Sequence, residues 1–359
     1  MKNRKTQGAS RKTLTCFAAA MVGVAHVQAE TYESPLSTRF ADRQVSRVQY
    51  LGRAAFRVAS GLNEAVIVPS LGRVMRYGPM NGPNVLWNSP QQSFKKGEWA
   101  NWGGDKVWPA PQSAWPLSLG NQTWPPHPSW DGAAQSSQVL ENGHVQTTSG
   151  IWPVLGCRIV REFWFDPNGD FVIQQTAEKV SGAPVQMSIW SITQTAPDVV
   201  FLPTNPQSTY KNNFHWLGAS SEATNVSPID DKFLQVVPVF KGNYKIGVDA
   251  PISAVAMRKG DLIFTLRSDK PAGDYPDGAN GAGFPVEIFD SGGIFDNGAV
   301  ASHYVELEIL GPLRVFRKGT RWTHTVRWSL QRLPTDADNA TIQETVRGLL
   351  EPLSGISIK

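Results

Sequence analysis

Apolar and polar residues alternate with a period of two along much of this chain. In the run Phe171–Val180, Phe171, Ile173, Gln175 and Ala177 fall on one side, with Val172, Gln174, Thr176 and Glu178 on the other, which is the strand pattern. The run Gly156–Phe165 precedes it across the turn sequence Asp166-Pro-Asn-Gly-Asp170, and Ser181-Gly-Ala-Pro184 turns the chain into Val185–Thr195. Similar short runs are Ala65–Pro69, Arg73–Tyr77, Val236–Phe240, Ala254–Arg258, Leu262–Ser268, Val286–Phe289, Tyr304–Leu310 and Trp322–Leu333. Many short strands divided by Gly, Asp and Lys turns predict an all-β protein, a large antiparallel sandwich. Helical spacing is convincing only near the C-terminus, where Ile342, Val346, Leu349, Leu350 and Leu353 recur behind Asp338 or Asn339 as N-cap. This predicts a helix within residues 336–359, packed outside the sandwich.

The N-terminus reads as a secretory signal over residues 1–29. Lys2, Arg4, Lys5, Arg11 and Lys12 precede an apolar run from Leu14 to Ala25, and Val27-Gln28-Ala29 is a small-residue cleavage site; the run is too short for a membrane span. A polar leader, residues 30–48, and one β domain, residues 49–335, follow. The chain has 34 Lys and Arg against 30 Asp and Glu, and five of the basic residues lie in the signal. The mature chain therefore carries 29 basic and 30 acidic side chains, so its charge gives no reason to expect nucleic acid or an anionic membrane as partner. Localisation is expected to be periplasmic or secreted, without membrane insertion. Cys157 is the one cysteine after the signal, so no internal disulfide forms, and no Cys/His spacing suggests zinc. No metal or other cofactor is expected; the Asp-rich stretch Asp269–Asn297 reads as a surface loop.

Seven of the thirteen tryptophans lie between Trp87 and Trp130, around Asn101-Trp-Gly-Gly-Asp-Lys-Val-Trp-Pro-Ala-Pro-Gln-Ser-Ala-Trp115. Indole faces mixed with Asn, Asp, Lys and Gln suit a sugar surface, where rings stack on C–H bonds and polar groups read hydroxyls; the same tryptophans would equally cap a core. A second candidate is Ser302-His-Tyr-Val-Glu-Leu-Glu-Ile-Leu-Gly-Pro312. On a strand its Glu306 and Glu308 share a face with Tyr304, about 7 Å apart after two steps of rise. Carboxylates that close raise each other's pKa when buried, which suits acid/base chemistry or cation binding. His127 and His215, in aromatic loop contexts, are the histidines best suited to chemistry, and Arg73 stands where it could face the tryptophan loop.

The order Pro69-Ser-Leu-Gly72-Arg73, Asn84-Val-Leu-Trp87, Asn101-Trp-Gly-Gly-Asp-Lys106 and a late strand ending Gly311-Pro312 resembles the galactose mutarotase-like group. Within it the chain resembles a domain-of-unknown-function family of exported proteins. The resemblance spans residues 50–332 and implies a β-supersandwich with a sugar cleft on a concave sheet. Aldose 1-epimerases use a glutamate on a late strand as general base, the place of Glu308 or Glu306. Where they carry His-Gly-Gly, this chain has Trp102-Gly103-Gly104, and its stretch Pro184–Trp190 lacks their second histidine. His127, His215 or Lys106 would have to supply the acid.

Three readings follow. An exported carbohydrate-binding protein would stack sugar on Trp102, Trp108 and Trp115 and bind hydroxyls through Arg73, Asn84, Asn101, Asp105, Lys106, Gln112 and the glutamates. An epimerase-like isomerase would use Glu306 or Glu308 as base. A structural envelope protein would bury the tryptophans. N-terminal sequencing of the exported protein is expected to begin at Glu30; a start at Met1 in the exported fraction would refute the signal.

Overall fold

The computed structural model describes residues 38–40, 43–89, 99–115, 124–218, 225–238, 242–278, 283–292 and 303–350. The signal segment lies outside the described residues, and Leu353 of the predicted helix does too. Strands, numbered in chain order, assemble among the described residues into two antiparallel sheets of twelve and ten strands. The larger sheet runs β1 (Thr38–Phe40), β2 (Arg43–Tyr50), β3 (Arg53–Ala59), β4 (Asn63–Val68), β5 (Arg73–Pro79), β6 (Asp105–Ala110), β11 (Val185–Thr195), β20 (Val305–Leu310), β19 (Val286–Asp290), β16 (Tyr244–Val248), β13 (His215–Trp216), with β21 (Arg314–Phe316) also on β11. The smaller sheet runs β14 (Val226–Pro228), β15 (Phe233–Val236), β12 (Val199–Pro203), β17 (Ser253–Lys259), β18 (Leu262–Ser268), β22 (Arg321–Arg332), β10 (Phe171–Lys179), β9 (Cys157–Phe165), β8 (Val145–Thr148), β7 (Ser136–Val139). The all-β sandwich expected from the alternation is the fold observed.

Alternation decides what lies between the sheets. Val305, Leu307 and Ile309 of β20 and Val286 and Ile288 of β19 point inward, meeting Phe163, Phe171, Phe264 and Trp328 of the smaller sheet in the main core. Tyr77 crosses from β5 into that aromatic group, its ring 5.2 Å from Trp328 and its hydroxyl donating to the Trp328 carbonyl at 3.2 Å. A second core gathers Trp115, Trp130, Trp152, Ile159, Ile189 and Phe316. At the boundary sits a charge pair. Along β9, Ile159 belongs to the second core and Phe163 to the first; Arg161 between them reaches across the sandwich to Asp105 of β6. Both side chains are fully buried. Thr193 of β11 donates to the same carboxylate at 2.8 Å, and Arg161 also donates to the Gly72 carbonyl at 3.3 Å.

The helix α1 (Asn339–Leu350) forms as predicted. The Asp338 side chain accepts from the Thr341 backbone N–H at 2.8 Å, capping the first turn. Ile342, Val346 and Leu350 pack on Phe201, Ala254, Ala256 and Ile263, the outward face of the smaller sheet.

Two expectations are corrected. The predicted leader reaches into the fold: β2 starts at Arg43, with Val45 and Val48 buried, because its apolar residues alternate within a polar stretch. The strand expected at Val236–Phe240 lies upstream at Phe233–Val236, where Val236 pairs with Val200; Pro238 has no N–H to continue a ladder. Removing one partner of the buried pair leaves an uncompensated charge, so Arg161→Met should cost about 3–5 kcal/mol in urea unfolding. Adding Asp105→Leu should recover most of that loss; a single variant as stable as the wild type would refute the role.

Candidate functional site

The outer face of the larger sheet, turned away from the smaller one, carries a continuous charged and aromatic floor. Strand register builds it in rows. Lys106, Ile192, Glu308, Glu287, Gly247 and His215 follow one another across β6, β11, β20, β19, β16 and β13, and the next row holds Gln194, Glu306, Phe289 and Lys245. In a third row Trp108 pairs with Trp190, and Trp190 with Leu310.

Two charge clusters stand on this floor. The Lys106 ammonium donates to Glu306 Oε1 at 2.9 Å, and the Gln194 amide donates to the same oxygen at 2.8 Å. Beside them Lys245 lies 2.7 Å from Glu287 and 2.9 Å from Glu308, and the Trp190 indole N–H donates to Glu308 Oε2 at 2.9 Å. Indole faces back both ammoniums, Lys106 at 4.3 Å from Trp108 and Lys245 at 4.1 Å from Trp190. Burial pushes Glu287 well up, with Asp277 and Glu308 adding to the rise against the pull of Lys245. Burial raises Glu308 as well, opposed by Lys245 and reinforced by Glu306. For Lys245 burial alone would favour the neutral amine, but Glu287 and Glu308 outweigh it and hold the proton more tightly than usual. Lys245 thus favours its charged form, and the two carboxyls favour their protonated forms more than a free carboxyl does. Solvent reaches this floor at Glu306, whose side chain is 10% exposed, and at Lys245, 19% exposed.

The tryptophan loop is held by a hub centred on Asp131, a residue outside those expected to form the site. Asp131 accepts from Arg73 Nε at 3.1 Å, from Trp99 Nε1 at 3.1 Å and from Trp108 Nε1 at 2.9 Å. Burial alone would raise this carboxyl; Arg73 and Lys106, with the hydrogen bonds of Trp99 and Arg73, hold it below the usual range. Arg73 also donates to the Gly103 carbonyl at 2.8 Å. Gly103 and Gly104 have φ of 86° and 71°, and a side chain on either would strike a carbonyl, Trp87 O or Val74 O, at 2.3 Å. No other residue type fits both the angle and the approach.

The residues expected to form the site separate into groups. Glu306, Glu308, Lys106 and Trp108 meet on the outer face, with Trp99 half-buried beside them, its ring 6.3 Å from that of Trp108. Half-buried Asn101 lies beside Tyr304, whose ring is 4.6 Å from Trp87. Arg73 orders the loop rather than facing ligand, because its guanidinium is fully engaged inside. Asp105 points the opposite way into the sandwich; burial pushes its carboxyl up, while Arg161, Thr193 and Ser191 pull it back. That corrects the expectation of a hydroxyl-binding role, and the cause is alternation, which puts Asp105 and Lys106 on opposite faces.

Trp115 is likewise a core residue, fully buried, its indole N–H donating to the Pro109 carbonyl at 3.0 Å. Asn84 is a turn residue: its oxygen accepts from the Tyr77 and Leu86 N–H groups, each at 3.1 Å. Trp102 packs toward Met75 and Val66 under the Arg53 guanidinium, at 4.8 Å. Gln112 lies in the short 3-10 turn Gln112–Ala114, partly exposed. His127 bonds Ser129 at 2.8 Å and stacks on Trp152, so its partners are not the glutamates. His215 shares the row of Glu287, but the Phe284 ring stands over Gly247 between them, where a side chain on Gly247 would meet it at 2.4 Å. Neither histidine is a partner of Glu306 or Glu308 in the structure.

Glu287, Lys245, Gln194 and Trp190 were missed. Glu287 and Lys245 left a signal, a charged residue between apolar neighbours of a strand, as in Val286-Glu-Ile and Tyr244-Lys-Ile; Gln194 and Trp190 left none. Among the described residues no cluster of His, Cys, Asp and Glu is arranged to hold a metal ion, and no helix is long and apolar enough to cross a membrane.

No family model and no curated protein matches the sequence. Solved structures match in shape. A candidate mutarotase from Salmonella typhimurium aligns with 83% of this chain and 97% of its own at 12% identity, with a TM-score of 0.53. A galactose mutarotase-like protein from Lactobacillus casei aligns over 77% and 100% at 9% identity, TM-score 0.54, and an aldose epimerase homologue from C. elegans over 76% and 97% at 10%, TM-score 0.51. The chain has the galactose mutarotase-like β-sandwich fold, as its motif order implied.

Asp131 and Glu287 should affect stability with opposite pH dependence. The folded pKa of Asp131 is depressed, so its contribution is full above the unfolded value of about 4 and is lost as pH falls through the folded one. The folded pKa of Glu287 is raised, so its contribution is full below the unfolded value of about 4.3 and is lost as pH rises through the folded one. Thermal unfolding from pH 3 to 8 should therefore show Glu287→Gln gaining on the wild type as pH rises and Asp131→Asn losing ground. Parallel profiles for all three proteins would overturn these assignments.

Proposed function

We propose that this is an exported carbohydrate-binding protein whose ligand lies on the outer face of the larger sheet, over Glu306, Lys106, Gln194 and Lys245. The observation that carries the reading is the pairing of chemistries there. Hydrogen-bonding charges sit against the indoles of Trp108 and Trp190, and half-buried aromatic rings, Trp99, Trp87 and Phe289, flank the two charged groups that reach solvent. Sugars ask for both at once: flat apolar faces for C–H bonds and fixed donors and acceptors for hydroxyls. The mutarotase and epimerase names of the similar structures support a sugar ligand. Export rests on the basic, apolar and small-residue segments of residues 1–29.

A second reading is favoured by Glu287 and Glu308. Opening a pyranose needs an acid at the ring oxygen and a base at the anomeric hydroxyl. Two adjacent carboxyls held toward their protonated forms could offer both in one place, in a chain whose His127 and His215 are engaged elsewhere. This would make the protein an epimerase-like isomerase, with Glu308 or Glu306 as base.

A panel of mono- and oligosaccharides read by thermal shift, followed by calorimetry, tests the binding reading. At least one sugar should raise the Tm, and Glu306→Gln and Trp99→Ala should each weaken it by about tenfold or more, roughly 1.4 kcal/mol. A panel without any shift would defeat it. Anomer exchange followed by proton NMR tests the isomerase, which falls if the Glu306→Gln, Glu308→Gln double variant exchanges aldoses at the wild-type rate.

A further inference from the structure

We propose that the site selects a cationic sugar, an amino sugar with a free ammonium group, over neutral and acidic sugars; this rests on the carbohydrate reading above. The first argument is charge. Four carboxyl groups, Asp277, Glu287, Glu306 and Glu308, face two ammoniums, Lys106 and Lys245. The neighbouring Arg73 is already balanced by Asp131. With all four ionised the floor would carry two more negative charges than positive ones, and in a buried setting like charges repel strongly, which is part of why Glu287 and Glu308 are pushed toward their protonated forms. The second argument is hydrogen-bond valence and is independent of charge. Gln194 is fully buried, and because its amide nitrogen donates to Glu306, its oxygen is the free end; that oxygen has no partner. Glu308 Oε1 and Glu287 Oε1 are also unpartnered and buried. Each of these open atoms is an oxygen, an acceptor wherever its carboxyl is ionised.

A ligand that completes this site must bring donors and positive charge. An ammonium brings three N–H donors and a charge. A neutral hydroxyl supplies a donor without the charge, and a uronate or phosphate adds further acceptors and further repulsion. A metal ion would supply charge, but among the described residues no group of three or more His, Cys, Asp and Glu is arranged to hold one. Access lies at Lys245, the more exposed of the two lysines, which already bridges Glu287 and Glu308. A second ammonium beside it would meet Glu308 Oε1 and draw the carboxyl pair, which burial holds toward its protonated form, back toward the ionised form with loss of a proton. The balance is one ammonium in and one proton out to buffer.

The test is titration calorimetry of the full mature chain with glucosamine, galactosamine, glucose, N-acetylglucosamine, glucuronate and ethanolamine, in two buffers of different ionisation enthalpy at pH 7. The expected result is at least about tenfold tighter binding of an amino sugar than of its neutral and N-acetyl counterparts, weakest binding of glucuronate, and net proton release for the amino sugars alone. Glu308→Gln and Glu287→Gln, each checked for wild-type circular dichroism, should reduce the preference and the proton release. Equal affinity for neutral and amino sugars would overturn the inference and leave sugar binding standing. Ethanolamine binding as tightly as glucosamine would overturn it too, since the sugar ring would then contribute nothing. If no compound binds, the carbohydrate reading fails with it.

Discussion

The buried pairing of Asp105 with Arg161 sets the register on which the site depends. It joins the two sheets at the seam between two apolar cores, and it fixes which face of β6 looks inward. A strand slipped by one residue exchanges its faces. With Asp105 held inside, Lys106 and Trp108 must stand on the outer face, where one meets Glu306 and the other supports that ammonium. Hydrophobic burial alone would specify β6 weakly, because Asp105-Lys-Val-Trp-Pro-Ala110 has apolar residues on both faces. The ion pair supplies the missing direction. A buried pair of this kind contributes little net stability compared with apolar residues of similar volume, and its value here lies in specifying one arrangement.

The outer face repeats the theme with the opposite balance. Inside the sandwich Arg161 and Asp105 match one another, whereas on the floor carboxyl groups outnumber ammoniums and buried oxygens lack partners. The tryptophans divide accordingly. Trp115, Trp130 and Trp152 build core, Trp108 and Trp190 support the charges, and Trp99 and Trp87 remain partly open. The crowded segment thus supplies both core residues and residues of the outer face.

Much of this was legible in the alternation. The faces of β20 are those read from Ser302–Pro312, with Val305, Leu307 and Ile309 inward and Glu306 and Glu308 outward. The helix and its Asp338 cap were equally plain, because local hydrogen bonding and 3.6-residue spacing are properties of neighbours in sequence. Glu306 and Lys106 were both identified, but nothing local says that they touch: they are 200 residues apart. Asp131 gave no sign, since its four bonds come from Arg73, Trp99 and Trp108 and exist only after the loop closes over β5 and β6.

The sequence by itself determined the period of each strand, the turns between strands, the capped helix and the residue types available for chemistry. Those follow from interactions within a few residues, which a pattern can carry. Only the tertiary structure decided which polar residues are enclosed between the sheets and which stand on the outer face. Asp105 and Lys106 are adjacent in the chain and chemically alike as candidates. One is enclosed by Arg161 and the other faces Glu306, because strand order brings β9 under one side of β6 and places β20 two strands away on the other. Side-chain roles on a sheet are set by neighbours distant in sequence, and those neighbours exist only once the sheets have packed.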